Sequence, residues 1–271
     1  MADAHPPNLA DKEARLRGIL RELGGVLVAY SGGVDSSVLL AVAAEELGDR
    51  VLAVTAVSAV YPPRELELAA QTARRLGVRH QWMPVDHLRE VPGFADSPPD
   101  RCYRCKKTLF GRMLELARRE GLVLVHGEQA DDVGEDRPGQ RAAKELGARA
   151  PMAEAGLGKA DVRALARRLN LPSADLPAMA CLATRFPYGT HLTEEALRQV
   201  AQAEELLANL GFSNFRARHH GDLVRLELPA RELARALEPE VRERLLTELR
   251  ALGFRHVTLD LAGYRTGGAN S

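Results

Sequence analysis

The sequence predicts an α/β protein built on a doubly wound parallel sheet, with a smaller C-terminal α+β domain. Short apolar runs alternate with helical patterns about every 30 residues, which is typical of right-handed βαβ units. The first apolar run ends in a doubled glycine. Near Pro187 the pattern changes, and later strands alternate apolar and polar residues. We therefore predict one domain over residues 1–187 and a second over 188–271.

Each element of the N-terminal domain follows from its own pattern. Three continuous apolar runs predict buried parallel strands, and a fourth run is weaker. These strands are 26–30, 51–57, 122–127 and the weaker 80–86. Apolar residues at helical spacing predict the intervening helices, which are 11–23, 36–47, 62–77 and a long helix within 102–121.

The C-terminal domain begins with a predicted helix over 192–211. Residues 215–220 and 223–229 then alternate like half-exposed strands. Two helical stretches and a last strand within 256–265 complete the predicted α+β unit.

Composition limits the classes of partner. The 271 residues contain 37 Lys and Arg and 37 Asp and Glu, so the formal net charge is zero. This balance argues against a partner held mainly by phosphate-backbone charge. The first residues lack the pattern of a signal peptide, and no window approaches the ~18 apolar residues of a membrane span. We therefore expect a cytoplasmic protein that binds neither membrane nor nucleic acid.

The segment SGGVDSS (31–37) combines flexibility with hydroxyl groups between a strand and a helix. Gly32 and Gly33 let backbone N–H groups approach a ligand, and the helix adds its positive dipole end. Asp35 can hold Mg²⁺ against phosphate oxygens. Hydroxyl donors come from Ser31, Ser36 and Ser37. This pattern favours a phosphate site over the alternative, a plain glycine turn with a helix cap.

The chain has three cysteines, Cys102, Cys105 and Cys181. The C-x₂-C spacing lets two thiolates share one metal. Three thiolates fit an iron–sulfur cluster with one open iron, or a redox pair plus a nucleophile. The alternative is a set of half-buried free thiols.

Arg185 follows Cys181 by four residues, so its guanidinium is placed to lower the thiol pKa or to clamp an anion. Arg216 and Arg218 lie two apart on a predicted strand and therefore share one face, which suits a phosphate clamp. A charged strand edge is the other interpretation of that pair. Glu227 and Arg265 are weaker candidates for the same site.

Asp131 and Asp132 follow the predicted strand 122–127, in a loop that faces the same sheet edge as SGGVDSS. They can take Mg²⁺ or position a nucleotide, or they belong to a solvated acidic loop.

SGGVDSS resembles the pyrophosphate-binding loop of the N-type ATP pyrophosphatases, which include GMP synthetases, NAD synthetases and tRNA-thiolating enzymes. The resemblance implies cleavage of ATP to AMP and pyrophosphate, with the pyrophosphate held by this loop. It places adenine beside the end of the second strand, at Val54, Thr55 and Ala56, and it adds Gly127, Asp131 and Asp132 to the predicted nucleotide contacts.

A resemblance to the LarE sulfur transferases covers nearly the whole chain. It rests on SGGVDSS, DRCYRC, HGEQADDVGEDRPG, GLGKADVRALA, CLATRFPYGT and LDLAGYRTG. The family implies a homo-oligomeric enzyme that adenylates a carboxylate of a pyridinium dicarboxylate mononucleotide and replaces it with a thiocarboxylate. The product leads to the nickel-pincer nucleotide cofactor of lactate racemase. The loop HGEQADDVGEDRPG departs from the family at Glu128 and Gln129, which stay unassigned.

The resemblance also bears on the cysteines. In single-cysteine members, the residue that matches Cys181 gives up its sulfur and becomes dehydroalanine. Members with three cysteines are thought to hold a 4Fe–4S cluster whose extra sulfide is transferred. We therefore expect Cys102, Cys105 and Cys181 to be cluster ligands in this chain, with ATP and Mg²⁺ as the other cofactors.

Three rival functions remain open from the sequence. An iron–sulfur tRNA thiolase shares the loop and the cysteine set, but should show a basic surface. An ammonia-dependent amide ligase has no use for three cysteines. A non-catalytic nucleotide-binding module would bind ATP without releasing pyrophosphate.

Overall fold

The computed structural model describes residues 8–132, 138–177 and 179–264. The described chain forms two compact units. The first comprises residues up to 58, 63–85 and 102–179, and the second comprises 59–62, 86–101 and the chain from 180 onward. The predicted boundary at 187 stays a prediction, since the second unit also takes up two segments from the first half of the sequence.

Helices and strands alternate along the chain as the periodicity predicts. In chain order they are α1 (Leu9–Leu23), β1 (Val26–Ala29), α2 (Val34–Leu47), β2 (Val51–Val57), α3 (Pro63–Arg75), β3 (Arg79–Pro84), α4 (His87–Glu90), α5 (Arg101–Glu120), β4 (Val123–His126), α6 (Pro138–Glu145), α7 (Pro151–Glu154), α8 (Lys159–Arg168), α9 (Glu194–Asn209), β5 (Arg216–His220), β6 (Leu223–Glu227), α10 (Leu233–Ala236), α11 (Pro239–Ala251) and β7 (His256–Leu259).

The sheet of the first unit has the order β3-β2-β1-β4, and all its neighbouring strands are parallel. The chain moves outward from β1 to β3 and then returns to place β4 on the other side of β1. The order therefore reverses between β1 and β4, and ligands of doubly wound sheets bind at the carboxyl ends of the strands beside such a switch point. The predicted fold class is confirmed.

Helix α2 occupies the centre of the first unit. Its residues from Ser36 to Ala43 are all buried, and it packs against β1, β2, α1 and α8. Because this helix is covered on several sides, its N-terminal turn is held firmly at the switch point. The helix begins at Val34, two residues earlier than predicted, because Gly33 adopts an extended N-cap conformation.

The edge strand β3 differs from the other strands of its sheet. Met83 is its only buried residue, and the Trp82 side chain is 41% exposed. This exposure explains why its sequence pattern is weaker than those of β1, β2 and β4.

The second unit contains a small sheet with the order β5-β6-β7, antiparallel between β5 and β6 and parallel between β6 and β7. Helices α9 and α11 pack on it around a core that includes Leu207, Val224 and Leu249. The predicted α+β character is thus present. Within the described part of the chain, no helix combines the length and apolarity needed to cross a membrane.

Candidate active site

The loop of SGGVDSS lies at the switch point, between the end of β1 and the first turn of α2. The backbone N–H of Tyr30 donates to the Val54 carbonyl, which continues the β1–β2 ladder up to the loop. Gly33, which has no side chain, is the N-cap of α2. The first N–H groups of a helix have no intrahelical partners. The loop therefore presents unpaired donors and a positive dipole end to a ligand.

The serines of the loop hold its shape by bonding to one another and to the backbone. Ser31 Oγ lies 3.1 Å from Ser36 Oγ and accepts a hydrogen bond from the Gly33 N–H at 3.3 Å. Ser36 and Ser37 donate to the carbonyls of Gly33 and Gly32, both at 3.2 Å. Ser37 is fully buried whereas Ser31 is exposed. Ser31 is therefore the hydroxyl of this set best placed to meet a phosphate.

Two glycines are required where backbones meet closely. Gly32 has φ +82°, and a Cβ there would lie 2.9 Å from the Ala69 Cβ of α3. A Cβ on Gly127, directly after β4, would lie 2.8 Å from the Ser36 nitrogen. Gly127 thus lets the end of β4 pack against the first turn of α2, which is a structural reason for its place in the predicted site.

Two carboxylates lie near each other at the start of α2. Burial, and then the negative charge of Asp132, raise the pKa of Asp35 above its ordinary value, while the positive charges of Lys159 and Arg163 oppose this shift. Two carboxylates that disfavour each other's charge are suited to sharing a divalent cation. This pairing supports Asp35 and Asp132 as a site for Mg²⁺.

Asp131 has a different environment from its neighbour. Its Oδ2 accepts a hydrogen bond from the Lys159 backbone N–H at 2.6 Å, at the first residue of α8. This contact satisfies one of the free N–H groups of that helix. The geometry therefore favours a capping role for Asp131.

The residues predicted beside adenine have buried side chains. Val54, Thr55 and Ala56 are exposed by at most 8%, and Thr55 Oγ1 lies 2.9 Å from His80 Nε2. A nucleotide at the end of β2 would accordingly meet the backbone of these residues.

Cys102 and Cys105 lie in the first turn of α5, three residues apart and hence on one helix face. Cys102 is exposed and Cys105 is partly exposed. Lys106 follows them, and burial lowers its pKa, while the charges of Glu128, Asp132 and the two thiols act in the opposite direction. Lys106 was missed by the sequence reasoning, although KK directly after the second cysteine was a visible signal.

Glu128 lies at the carboxyl end of β4, and its Oε2 is 3.5 Å from His126 Nε2. Its charge also reaches Lys106. Glu128, unassigned from the sequence, therefore belongs to the same group of charged side chains as Lys106 and Asp132.

Cys181 lies in the second unit, immediately before a short 3₁₀ turn over Leu182–Arg185. Arg185 Nη1 donates to the carbonyls of Ala180 and Cys181 at 2.7 and 3.1 Å. The Nε and Nη2 of Arg185 both bond to Glu204 of α9 at 2.8 Å. The guanidinium is 2% exposed. These contacts favour a positioning role for Arg185, which ties the Cys181 backbone to α9.

Arg218 is occupied in a similar way. Its Nε and Nη2 bond to the Glu227 carboxylate at 2.9 and 3.0 Å, and its Nη1 donates to the Thr184 carbonyl. Arg216 lies over the Tyr264 ring at 5.2 Å. Burial, with the nearby positive charge of Arg185, lowers the pKa of Arg216.

Glu204 and Glu227 lie among Arg185, Arg216 and Arg218. The three arginines and two glutamates together carry one more positive than negative charge. Arg216 donates to the Phe215 carbonyl at 2.7 Å, and the charge of Glu204 opposes the lowering of its pKa. Glu204 had no distinguishing sequence signal, whereas Tyr264 lies in LDLAGYRTG, one of the segments that carry the resemblance. Arg265 lies outside the described residues.

Among the residues that the structure describes, no group of three or more His, Cys, Asp or Glu side chains is arranged to hold a metal ion.

Comparisons with known proteins agree with this architecture. The asparagine synthase family matches residues 20–134, the part that contains the loop and the switch point. A pyridinium-3,5-bisthiocarboxylic acid mononucleotide synthase of Lactiplantibacillus plantarum is 39% identical over 264 residues, which cover 97% of this chain and 95% of that protein.

Two other relatives mark the range of the similarity. An uncharacterised protein of Synechocystis is 39% identical over 263 residues, 97% of this chain and 98% of its own length. An NH(3)-dependent NAD(+) synthetase of Pyrobaculum aerophilum is 42% identical over 77 residues, 28% of each chain. Since the similarity to the Lactiplantibacillus synthase extends over nearly all of both chains, this protein belongs to the LarE family.

Proposed function

We propose that this protein is an ATP-dependent sulfur transferase that converts a carboxylate of a pyridinium dicarboxylate mononucleotide to a thiocarboxylate, for the biosynthesis of the nickel-pincer nucleotide. The observation that carries the proposal is the near-complete match to the Lactiplantibacillus synthase, which includes the loop at the start of α2 and the segment around Cys181.

The first step is activation of the carboxylate. A carboxylate oxygen attacks the α-phosphorus of ATP, and pyrophosphate leaves. The N–H groups at the start of α2, with Ser31, hold the pyrophosphate, and Asp35 and Asp132 would hold Mg²⁺, which would neutralise part of the phosphate charge. Lys106 adds a positive charge in the same group of side chains. The product of this step is an acyl adenylate.

The second step is attack of a sulfur nucleophile on the acyl carbon, with AMP as the leaving group. Arg185 holds the Cys181 backbone in place for this step, and Arg216 binds the phosphate of the mononucleotide. Arg185 is thus a positioning residue in this proposal rather than a group that contacts the substrate.

We also propose that Cys102, Cys105 and Cys181 ligate a 4Fe–4S cluster. Three soft thiolates suit such a cluster, and the pair on one face of α5 provides two of them without rearrangement of the helix. When bound, the cluster would supply sulfide from its open iron.

The test combines turnover with protein mass. Anaerobically purified protein is incubated with ATP and the dicarboxylate mononucleotide, and AMP and thiocarboxylate are measured by mass spectrometry. We expect both products, stoichiometric iron and an unchanged protein mass. Absence of iron with a loss of about 34 mass units, one H₂S, would replace the cluster with sacrifice of Cys181.

A parallel incubation replaces the mononucleotide with tRNA. AMP formation with tRNA alone would assign the chain to tRNA thiolation. A variant, Arg185→Lys, separates the two steps: we expect AMP formation to persist while thiocarboxylate falls about tenfold or more, because the Cys181 carbonyl loses the Nη1 donor that the bidentate bond to Glu204 holds in place. Equal loss of both products in a folded variant would contradict the positioning role.

The proposal includes a homo-oligomer assembled through the C-terminal domain, as the family resemblance implies. Light scattering measures its mass directly, and a monomer would contradict it.

A further inference from the structure

Three arginines of the second unit are almost completely buried, with exposures of 2% for Arg101, 2% for Arg185 and 6% for Arg218. Arg185 and Arg218 each direct their Nε and Nη2 at both oxygens of one glutamate. This fork is the usual way in which a guanidinium binds a carboxylate. Arg185 and Arg218 thus show how this unit compensates the charge of a buried guanidinium.

Arg101 lacks that compensation. Its Nη1 donates to Ser97 Oγ, and the Tyr188 ring lies 4.9 Å from its guanidinium carbon. Its Nε is buried and has no hydrogen-bond partner, and no carboxylate among the described residues forms an ion pair with it. The edge of the guanidinium that binds carboxylates elsewhere in this unit is therefore unused.

A buried cation with an unused donor edge is costly unless an anion compensates it. An aromatic ring over the guanidinium supplies a weaker attraction than a carboxylate does. The Tyr188 side chain is itself 41% exposed, so the ring that packs on the guanidinium is partly open to solvent.

The segment that carries Arg101 packs in the same unit as the Cys181 segment. Gly189 and Leu192 donate backbone hydrogen bonds to the carbonyls of Ser97 and Ala95. The Leu182 N–H, next to Cys181, donates to the Val60 carbonyl in the same unit. An anion at Arg101 would thus bind to the unit that holds the predicted sulfur-transfer residue.

We propose that Arg101 binds a carboxylate of the substrate through its Nε–Nη2 edge, after the Tyr188 ring moves aside. This inference rests on the proposed function and names a recognition residue for it. A carboxylate held in this way has its charge compensated and is a poor nucleophile. Arg101 therefore holds the ring carboxylate that is not being activated, while Arg216 takes the phosphate.

The test uses simple probes without ATP, so that it does not depend on turnover. Isothermal titration measures binding of a pyridine dicarboxylate and a pyridine monocarboxylate to the wild-type protein and to Arg101→Gln, Arg101→Lys and Arg119→Gln. Arg119 is an exposed arginine on the same helix and serves as the matched control. Circular dichroism establishes that each variant is folded.

We expect the wild-type protein and Arg119→Gln to bind the dicarboxylate about tenfold more tightly than the monocarboxylate. Arg101→Gln should remove this preference, and Arg101→Lys should restore it in part, because lysine keeps the charge but not the fork. If Arg101→Gln does not fold, Arg101→Lys decides the question by a reduced preference.

Equal binding of the two probes by the wild-type protein would overturn the inference, and so would an unchanged preference in either folded Arg101 variant. A preference that vanishes only in the Arg101 variants, in a protein that forms no AMP with the mononucleotide, would uphold the carboxylate site and reject the proposed function.

Discussion

Asp35, Asp131 and Asp132 are chemically alike in the sequence, but their surroundings separate them. Asp35 and Asp132 raise each other's energy when both are charged, which prepares them for a cation. Asp131 bonds instead to a helix backbone. Arg185 and Arg218 are likewise tied to Glu204 and Glu227. At this scale, residue type predicts the available chemistry, whereas the partners decide which chemistry is used.

Gly127→Ala tests the close approach at the switch point. The added Cβ would lie 2.8 Å from the Ser36 nitrogen and 3.0 Å from the Asp35 carbonyl carbon, both backbone atoms of α2. Either β4 or the loop must move, so we expect ATP to bind about tenfold more weakly or worse. Fluorescence titration with a labelled ATP analogue measures this effect.

Gly18→Ala provides the control for that variant. Gly18 lies within α1, and a Cβ there would meet nothing within 4 Å. We expect unchanged ATP binding and a gain of about 0.5–1 kcal/mol in the free energy of unfolding. ATP affinity that is equally strong in Gly127→Ala would contradict the steric argument.

Elements position the candidate site more than individual side chains do. The parallel order of β3, β2, β1 and β4 brings the ends of β1 and β4 together. The burial of α2 fixes the direction of its N-terminal N–H groups. The strands and most of the longer helices were predicted from local periodicity, with bounds that differ from the structure by only a few residues at most ends, whereas α4, α6 and α7 were not predicted. The strand order was not predicted, because pairing joins residues far apart in sequence.

Asp131→Ala tests the cap of α8. The variant loses the acceptor for the Lys159 N–H and a negative charge near the helix start. We expect the free energy of unfolding to fall by about 1 kcal/mol, with little change in the KM for ATP. Urea unfolding and steady-state kinetics measure the two quantities.

Asp132→Ala, at the adjacent position, should behave in the opposite way. Its loss removes one of the paired carboxylates, so the concentration of Mg²⁺ needed for AMP formation should rise. A large rise in the Mg²⁺ requirement of Asp131→Ala would show that Asp131 is also a ligand.

The two units of the molecule carry different parts of the candidate chemistry. The first contains the loop, the acidic pair and Lys106, whereas the second contains Cys181 and the arginine cluster. Activation of the carboxylate is therefore assigned mainly to one unit and sulfur transfer to the other.

The free energy of unfolding of the whole molecule at acid pH depends strongly on one buried side chain, His126. Burial, assisted by the charge of Lys106, lowers the pKa of His126 from its ordinary 6.5 to about 3. At acid pH the imidazole of His126 therefore binds a proton in the unfolded chain but not in the folded protein. This difference lowers the free energy of unfolding as the pH falls through 6.5 and continues to do so down to about 3.

His126→Asn removes this contribution. We expect its free energy of unfolding to fall less steeply with decreasing pH than that of the wild type, by up to about 1.4 kcal/mol per pH unit below 6. Urea unfolding at a series of pH values measures the slopes. His256→Asn, at an exposed position, tests whether loss of any histidine has the same effect, and parallel curves for the wild type and His126→Asn would contradict the prediction.

The sequence by itself determined the α/β class, the phosphate-binding character of SGGVDSS and the family. Each of these depends on local patterns or on short motifs whose residues lie close together along the chain. Only the tertiary structure decided how the charged side chains divide their roles. Glu204 and Tyr264 are distant in sequence from Arg185 and Arg216, which they contact, and ion pairing depends on distance and burial rather than on residue type. The same is true of Arg101, whose unused Nε edge becomes visible only when the partners of every buried arginine are compared in space.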